Sequence, residues 1–436
     1  MNESNLKYQR IAAIVLIIAT FLELAIQTFW RNKLGNYLSP FFWLFFGILG
    51  CAATLYISGF RKSPVPINLD YYKRYNNALL ILSVCLFGTL IIAFLLSPIF
   101  AEWPIDAKYS DIIPSLELYV KRLLSGEKVY APMEFPGWTV DPTYFPLLWL
   151  PYVFSEILHI DYRWTAFLVF IIGVYLYSLR EVRYQIPYTE ITIKALLPFL
   201  FVLSFIIYQR ETFGMTVELM PIGFYLLLTL TIFTRTRFLM GMGILICLLS
   251  RYAFTLWLPV YFLMLWMELG FKNMFKIGLV VLGGVLVFYV FPFLWGDWEI
   301  FGKGLAYYGK TAVGQWYPQG WQEAGDKPWH LTRGMGFAIY FYDFLEGGPE
   351  AKLAVNKLWH LIGSTIAAVM ILGGYLYWRK KGLNRRIYAI VALKFYLLIF
   401  YGLFQVPFSY LFMLPLFMSI PLIFHVPFRD CLVKSE

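Results

Sequence analysis

The chain is predicted to be an all-α polytopic membrane protein of about twelve transmembrane helices. Three observations predict it. It is 60% hydrophobic and 14% charged, against about 45–50% and about 25% in a soluble domain. Its mean hydropathy is +0.65. Many of its apolar runs reach the ~17–25 residues a helix needs to cross a bilayer. A membrane β-barrel would show alternating segments of about ten residues, and no stretch alternates in that way.

The spans fall at roughly 11–29, 38–57, 78–98, 164–179, 194–208, 216–234, 238–250, 252–267, 275–294, 358–378, 387–404 and 408–426. The seventh and eighth lie so close that Phe238 to Met267 also reads as one long broken helix. Lys7 and Arg10 precede the first run, as in a signal peptide. That run ends in Trp30-Arg31-Asn32-Lys33 without a small-residue cleavage site, so it reads as a retained span. Gly283-Gly284 and Gly373-Gly374 sit inside spans, where a missing side chain permits close helix approach. No repeat, low-complexity tract or soluble domain divides the series, so residues 1–436 read as one integral membrane domain.

The net charge of +10 is spread through short loops, the pattern of positive-inside orientation rather than of a nucleic-acid-binding face. With the N-terminus in the cytoplasm, the inner loops hold Arg61, Lys62, Lys73, Arg74, Arg180, Arg183, Arg235, Arg237, Lys272 and Lys276. The densest cluster, Arg379, Lys380, Lys381, Arg385 and Arg386, also falls inside. Both termini are then cytoplasmic in a plasma or inner membrane. Two long segments, about 99–163 and 295–357, share the outer face, and any chemistry is expected there. Cys51, Cys85 and Cys247 lie in apolar runs and Cys431 near the C-terminus, so no disulfide framework is visible.

The first outer segment opens with Glu102, Asp106, Asp111 and Glu117. From Ile112 to Leu124 the residues Leu116, Tyr119, Val120, Leu123 and Leu124 recur at helical spacing, with Lys121 and Arg122 off that stripe. This predicts a helix resting on the membrane surface with its charges upward, ended by Gly126 in the left-handed position. Asp111 stands just ahead of it, where it reads either as an N-cap or as a general base held at a helix start. Capping would favour the ionised form that a base needs. Asp106 shares the candidacy with less positional support, and Glu117 reads as a solvated charge. The following stretch, Pro142 to Pro151, is apolar but too proline-rich for an ordinary helix.

Asp111, Tyr119, Leu123-Leu124-Ser125-Gly126, Tyr130 and Pro142-Thr143-Tyr144-Phe145-Pro146-Leu147 carry a resemblance. They are similar to the first outer loop of GT-C glycosyltransferases, integral membrane enzymes that use polyprenyl-phosphate sugars. The Gly and Tyr after the loop helix and the Tyr-x-Pro-Leu segment most resemble glycosyltransferase family 87. That group includes polyprenyl-phosphate-mannose-dependent mannosyltransferases. The likeness covers about forty residues and a diffuse span pattern. The chain departs from the pattern in having two extra spans within 1–77 ahead of the core at 78–436, and in lacking the Pro-Pro pair of many relatives near Pro142. The resemblance implies an acidic catalytic base in this loop, and the spacing from Gly126 puts Asp111 ahead of Asp106. It also implies a polyprenyl-phosphate sugar donor, with mannose or a similar hexose, and a glycan, glycolipid or protein acceptor. Tyr144, within the shared segment, becomes a sugar or acceptor contact.

A charge inside an apolar stretch is a functional candidate by default. Arg251 interrupts such a stretch at the expected outer interface, where it reads equally as a donor-phosphate contact or as a snorkelling anchor. The resemblance supports the phosphate contact. Arg210, in Gln209-Arg210-Glu211, is a second phosphate candidate, with an ion pair to Glu211 as the plainer reading. Glu218 resembles a polar position of relatives and is a sugar or acceptor candidate. In the second outer segment His330 and Arg333 are placed to reach a leaving phosphate, and Trp316 and Trp329 read equally as sugar platforms or as an interfacial aromatic belt. No His, Cys or Asp cluster has metal-ligand spacing and no cofactor is implied, with a divalent ion left open.

The leading expectation is an inverting glycosyl transfer on the outer face, with Asp111 as base and Arg251 as phosphate partner. A transporter or flippase is the rival from another class. It needs polar groups near the bilayer midplane, and Glu23 and Lys394 are the obvious midspan charges. A polysaccharide polymerase or ligase is the rival among enzymes.

Overall fold

The computed structural model describes residues 3–60, 71–183, 187–323 and 325–426. Arg61, Lys62 and Cys431 lie outside them. Helices dominate, and among the described residues six helical stretches are long and apolar enough to cross a membrane, as in a helical membrane protein. They are Lys7–Ser58, Lys73–Glu102, Tyr162–Leu179, Tyr188–Tyr208, Phe271–Leu294 and Pro349–Lys381. Five further apolar stretches are shorter: Pro146–Leu158, Leu219–Ile232, Arg237–Leu248, Trp257–Leu269 and Ser409–Phe424. At 1.5 Å per residue a helix of about a dozen residues covers roughly 18 Å, well short of a hydrocarbon core of about 30 Å.

The first stretch is folded on itself. Gly35 takes φ 76, a left-handed value that glycine adopts without strain. Leu16 then lies against Gly50, 3.6 Å from where a Cβ would stand, so the two N-terminal spans form a hairpin. The run from Phe238 to Met267 is two helices, parted where Arg251 takes extended backbone at φ −146 and ψ 133. In each expected glycine pair the second member makes the close approach. A Cβ on Gly284 would meet Leu245 at 2.0 Å, and one on Gly374 would meet the Tyr388 hydroxyl at 2.6 Å.

The bundle centre holds one saturated ion pair. Lys394 Nζ donates to both Glu23 oxygens at 3.0 and 2.7 Å, to the Pro415 carbonyl at 3.0 Å and to Ser419 Oγ at 2.7 Å. Both side chains are 1% exposed.

The two long connecting segments meet at one end of the bundle. The loop helix spans Ile112–Ser125, with Leu116, Tyr119 and Val120 fully buried and Gly126 left-handed at φ 71. Arg122 turns back over the next loop, donating to the carbonyls of Val129 at 3.4 Å and Pro132 at 2.8 Å. A small hairpin follows that no alternation in the sequence announced: Met133–Phe135 pairs with Trp138–Val140 across Pro136-Gly137. Three-residue strands are too short for a period-two pattern to register. The second segment contributes the helix Glu299–Gly314, which lies on the first. Gly304 permits this, since a Cβ there would stand 2.9 Å from the Pro142 carbonyl. An ion pair between Lys128 and Asp297 also ties the segments together.

Candidate active site

The proline-rich segment cannot satisfy its own backbone, because Pro142, Pro146 and Pro151 carry no N–H and interrupt any ladder. Aromatic side chains supply the partners. Tyr119 Oη accepts from the Tyr144 N–H at 3.3 Å, and Tyr130 Oη donates to the Tyr144 carbonyl at 2.9 Å. Trp149 Nε1 donates to Tyr130 at 3.2 Å, and its indole stacks on Tyr119 at 5.4 Å with 11° between planes. From the other side, Tyr252 Oη donates to the Thr143 carbonyl at 3.1 Å, and the Leu147 N–H donates to the Leu249 carbonyl at 3.0 Å. The tyrosines of the shared pattern therefore fix the course of this segment and dock it beside Arg251.

Asp111 starts the loop helix, but its carboxylate does not cap it. The Ile112 N–H donates to Ser110 Oγ at 3.3 Å instead, and the Ser115 N–H to the Asp111 backbone carbonyl at 2.9 Å. The expected stabilisation of the ionised form by capping is thus replaced by the opposite tendency. Burial raises the Asp111 pKa above its ordinary value, offset only by its own backbone N–H. No cation pairs with it among the described residues. Asp106 differs: it is exposed and closes a local turn, its Oδ1 accepting from the Lys108 N–H at 2.8 Å.

Arg251 forms an ion pair with Glu218, which is only 4% exposed, whereas the Arg251 side chain keeps 17%. Glu218, expected as a sugar or acceptor contact, stands behind the guanidinium rather than on an open face. Only Nη2 of Arg251 contacts it, and the buried Nε has no partner. Three tyrosines, Tyr144, Tyr308 and Tyr410, each lie within electrostatic reach of both Asp111 and Arg251. Burial lifts the Tyr144 and Tyr308 pKa values, so these phenols stay protonated and can donate hydrogen bonds. Acid, guanidinium and phenols thus share one neighbourhood built from both long segments and the break at Arg251.

The remaining candidates fall elsewhere. Arg210 pairs with Glu102 at 3.0 Å rather than with Glu211, and both partners are exposed. Trp316, read equally as a sugar platform or as part of an interfacial aromatic belt, is 0% exposed, its Nε1 donating to the Gln405 carbonyl at 2.9 Å. Its faces are closed to a sugar because it forms the core of a separate small apolar cluster with Leu331 and Ile339. Trp329 is half-buried, with the Arg333 guanidinium 3.5 Å from its ring centroid and Trp321 edge-on at 4.8 Å. His330 packs on Phe408 with ring centroids 4.6 Å apart, and burial lowers its pKa to about 4, so it is neutral at pH 7. Among the described residues no group of three or more His, Cys, Asp or Glu side chains is arranged to hold a metal ion.

Sequence reasoning did not single out Tyr308, Tyr410 or Tyr252. Tyr252 had a signal, being next to Arg251 at the break. Tyr308 and Tyr410 had none, because distant segments bring them in. A comparison with known proteins finds no matching family model, no similar curated protein and no similar solved structure.

Proposed function

We propose that the chain is a glycosyltransferase that moves a monosaccharide from a polyprenyl-phosphate donor to an acceptor hydroxyl, with inversion, at the extracytoplasmic end of the bundle. Both termini are cytoplasmic in this reading, and the sugar is mannose or a similar hexose. The observation that supports it most is the shared tyrosine neighbourhood of Asp111 and Arg251. A transfer of this kind needs a carboxylate that can take a proton and a cation with donors left to meet a phosphate, and Arg251 uses only Nη2 on Glu218.

Asp111 takes the acceptor proton as the hydroxyl oxygen attacks the anomeric carbon and the bond to the phosphate oxygen breaks. Its burial without a cation gives it a higher proton affinity than a surface carboxylate, which helps a base at neutral pH. Arg251 meets the charge that develops on the leaving phosphodiester through the part of its guanidinium that stays exposed. The phenols of Tyr144 and Tyr308 donate to sugar hydroxyls or to the phosphate. The Glu23–Lys394 network, the midspan feature that would favour a transporter, is closed on itself and offers no unfilled polar group.

The test is Asp111→Asn in purified protein, assayed with a panel of polyprenyl-phosphate sugars. Transfer is expected to fall by about 10²–10⁴-fold, the range for loss of a general base. Full retained transfer overturns the base assignment. Failure of wild type with every donor, together with movement of a lipid or solute across vesicles, overturns the enzyme class.

A further inference from the structure

A second cationic site lies at the far end of the bundle from Asp111. The helix Arg237–Leu248 rises from that end toward Arg251, so Arg237 and Arg251 are separated by roughly 18 Å or more along it. Beside Arg237 a small cleft is lined by Arg385, Arg386 and Glu268, with apolar walls that include Met240 and Met264.

The three guanidiniums converge there without carboxylate partners. Arg237 Nε donates to Asn273 Oδ1 at 3.4 Å, and Arg386 Nη1 donates to the Phe233 carbonyl at 3.2 Å. Arg385 has no hydrogen-bond or ion-pair partner among the described residues. Three cations against the one carboxylate of Glu268 leave an excess of positive charge in a confined space. Arg385 and Arg386 also open the helix Arg385–Gly402. A helix start carries positive partial charge and disfavours cations while favouring an anion. Asn384 caps that start, its Oδ1 accepting from the Ile387 N–H at 3.4 Å, so the uncompensated guanidiniums are what call for an anion.

The shape narrows the anion. The cleft encloses only about 20 Å³, so an anion seats at its mouth, where planar guanidinium forks match phosphate oxygens. The helix that precedes Arg385 ends in Trp378 and the turn Arg379–Lys381, with Trp378 38% exposed, the composition of a headgroup-level belt. Trp266, on the cleft-lining helix Trp257–Leu269, is 49% exposed and continues that apolar face outward. We infer that Arg237, Arg385 and Arg386 hold the phosphodiester of an anionic glycerophospholipid at the mouth of this cleft. The inference stands whether or not the transfer reading does. A free phosphate ion shares the recognised chemistry, and the exposed rings of Trp378 and Trp266 at headgroup level favour the lipid.

The test uses full-length protein, stripped of lipid in detergent, and follows retained phosphatidylglycerol by native mass spectrometry, with phosphatidylcholine and inorganic phosphate as the other probes. Wild type is expected to hold phosphatidylglycerol about tenfold or more over phosphatidylcholine. Arg385→Gln, which breaks no contact in the fold, is expected to weaken retention about fivefold, the effect of one basic residue at an anionic surface. Substituting all three arginines by glutamine is expected to cost about a hundredfold on the same scale. Glu268→Gln is expected to shift retention the other way, a direction that general misfolding does not produce. Equal retention of the two lipids, or unchanged retention in Arg385→Gln and the triple variant, overturns the site. Displacement of the lipid by millimolar inorganic phosphate overturns the lipid assignment in favour of a soluble ion.

Discussion

Lys394–Glu23 and Arg251–Glu218, two of the acid–base pairs in this bundle, differ in how completely they are satisfied. Lys394 and Glu23 are both 1% exposed, and the ammonium makes four contacts, two of them to Glu23. Ser419 Oγ also donates to Glu23 at 3.3 Å. Arg251 and Glu218 share one contact, leave the Arg251 Nε buried without a partner, and keep the guanidinium 17% exposed. An unmet buried donor costs roughly 1–3 kcal/mol, and a fold retains such a group where a ligand meets it. The first pair therefore reads as architecture and the second as a site.

The largest effects are expected in the saturated pair. Lys394→Met strands the Glu23 carboxylate in the bundle, and breaking a buried pair this way costs about 3–5 kcal/mol. Thermal unfolding in detergent measures it. Adding Glu23→Gln to Lys394→Met is expected to recover most of that loss, since no unpaired charge then remains. A double variant as unstable as the single would mean that the pair is not the unit that matters.

The second pair separates chemistry from stability. Arg251→Lys keeps a cation for Glu218 but removes the planar fork and the Nε donor. Transfer is expected to fall about 10–100-fold, some 1.4–2.7 kcal/mol in the barrier, while the unfolding temperature moves little. Equal losses of stability in Arg251→Lys and Lys394→Met would erase the distinction between the pairs.

Asp111 gives a smaller effect with a defined sign. Its native pKa is raised by burial, so the folded state binds the proton more tightly than the unfolded chain does. That contribution is fully present below the unfolded value and is lost as pH rises through the folded one. Asparagine does not ionise, so Asp111→Asn is expected to be at least as stable as wild type at neutral pH. The gain should shrink as pH falls, as urea unfolding across pH would show. Wild-type transfer should rise with pH along a limb displaced above the usual carboxylate range. An inactive variant that is also less stable would return Asp111 to the role of helix support.

The contrast between the two pairs also marks what was legible in the chain. The loop helix was readable from Ile112 to Leu124, because a helix with one buried stripe writes a 3.6-residue period into its residues. The break at Arg251 was readable as a charge in an apolar run. What no local pattern holds is the pairing of segments distant in sequence. Glu218 and Arg251 each looked like separate ligands of substrate until the fold set one behind the other. Trp316 read equally as a sugar platform or as part of a belt because exposure depends on neighbours supplied by Leu331 and Ile339. Asp111 sat where a cap belongs, yet Ser110 took the N–H, a choice between adjacent acceptors that spacing alone does not make.

Arg210 tests how far the site extends. Its pair with Glu102 is 3.0 Å long, with side chains 58% and 43% exposed, so solvent screens it and the expected contribution lies between about 0 and 1 kcal/mol. In the sequence Arg210 was a second donor-phosphate candidate with an ion pair as its plainer reading, whereas Arg251 interrupts an apolar stretch. Glu102 already neutralises Arg210, and water already solvates its remaining donors, so a phosphate reaching it exchanges one solvated contact for another. Arg251 keeps part of its guanidinium exposed at the break between two helices, where a phosphate can reach it. Arg210→Gln is accordingly expected to change transfer by less than about threefold and the unfolding temperature hardly at all. A tenfold or greater loss of transfer at unchanged stability would show that exposure does not decide which guanidinium serves the phosphate, and the site would then reach out to the surface pair.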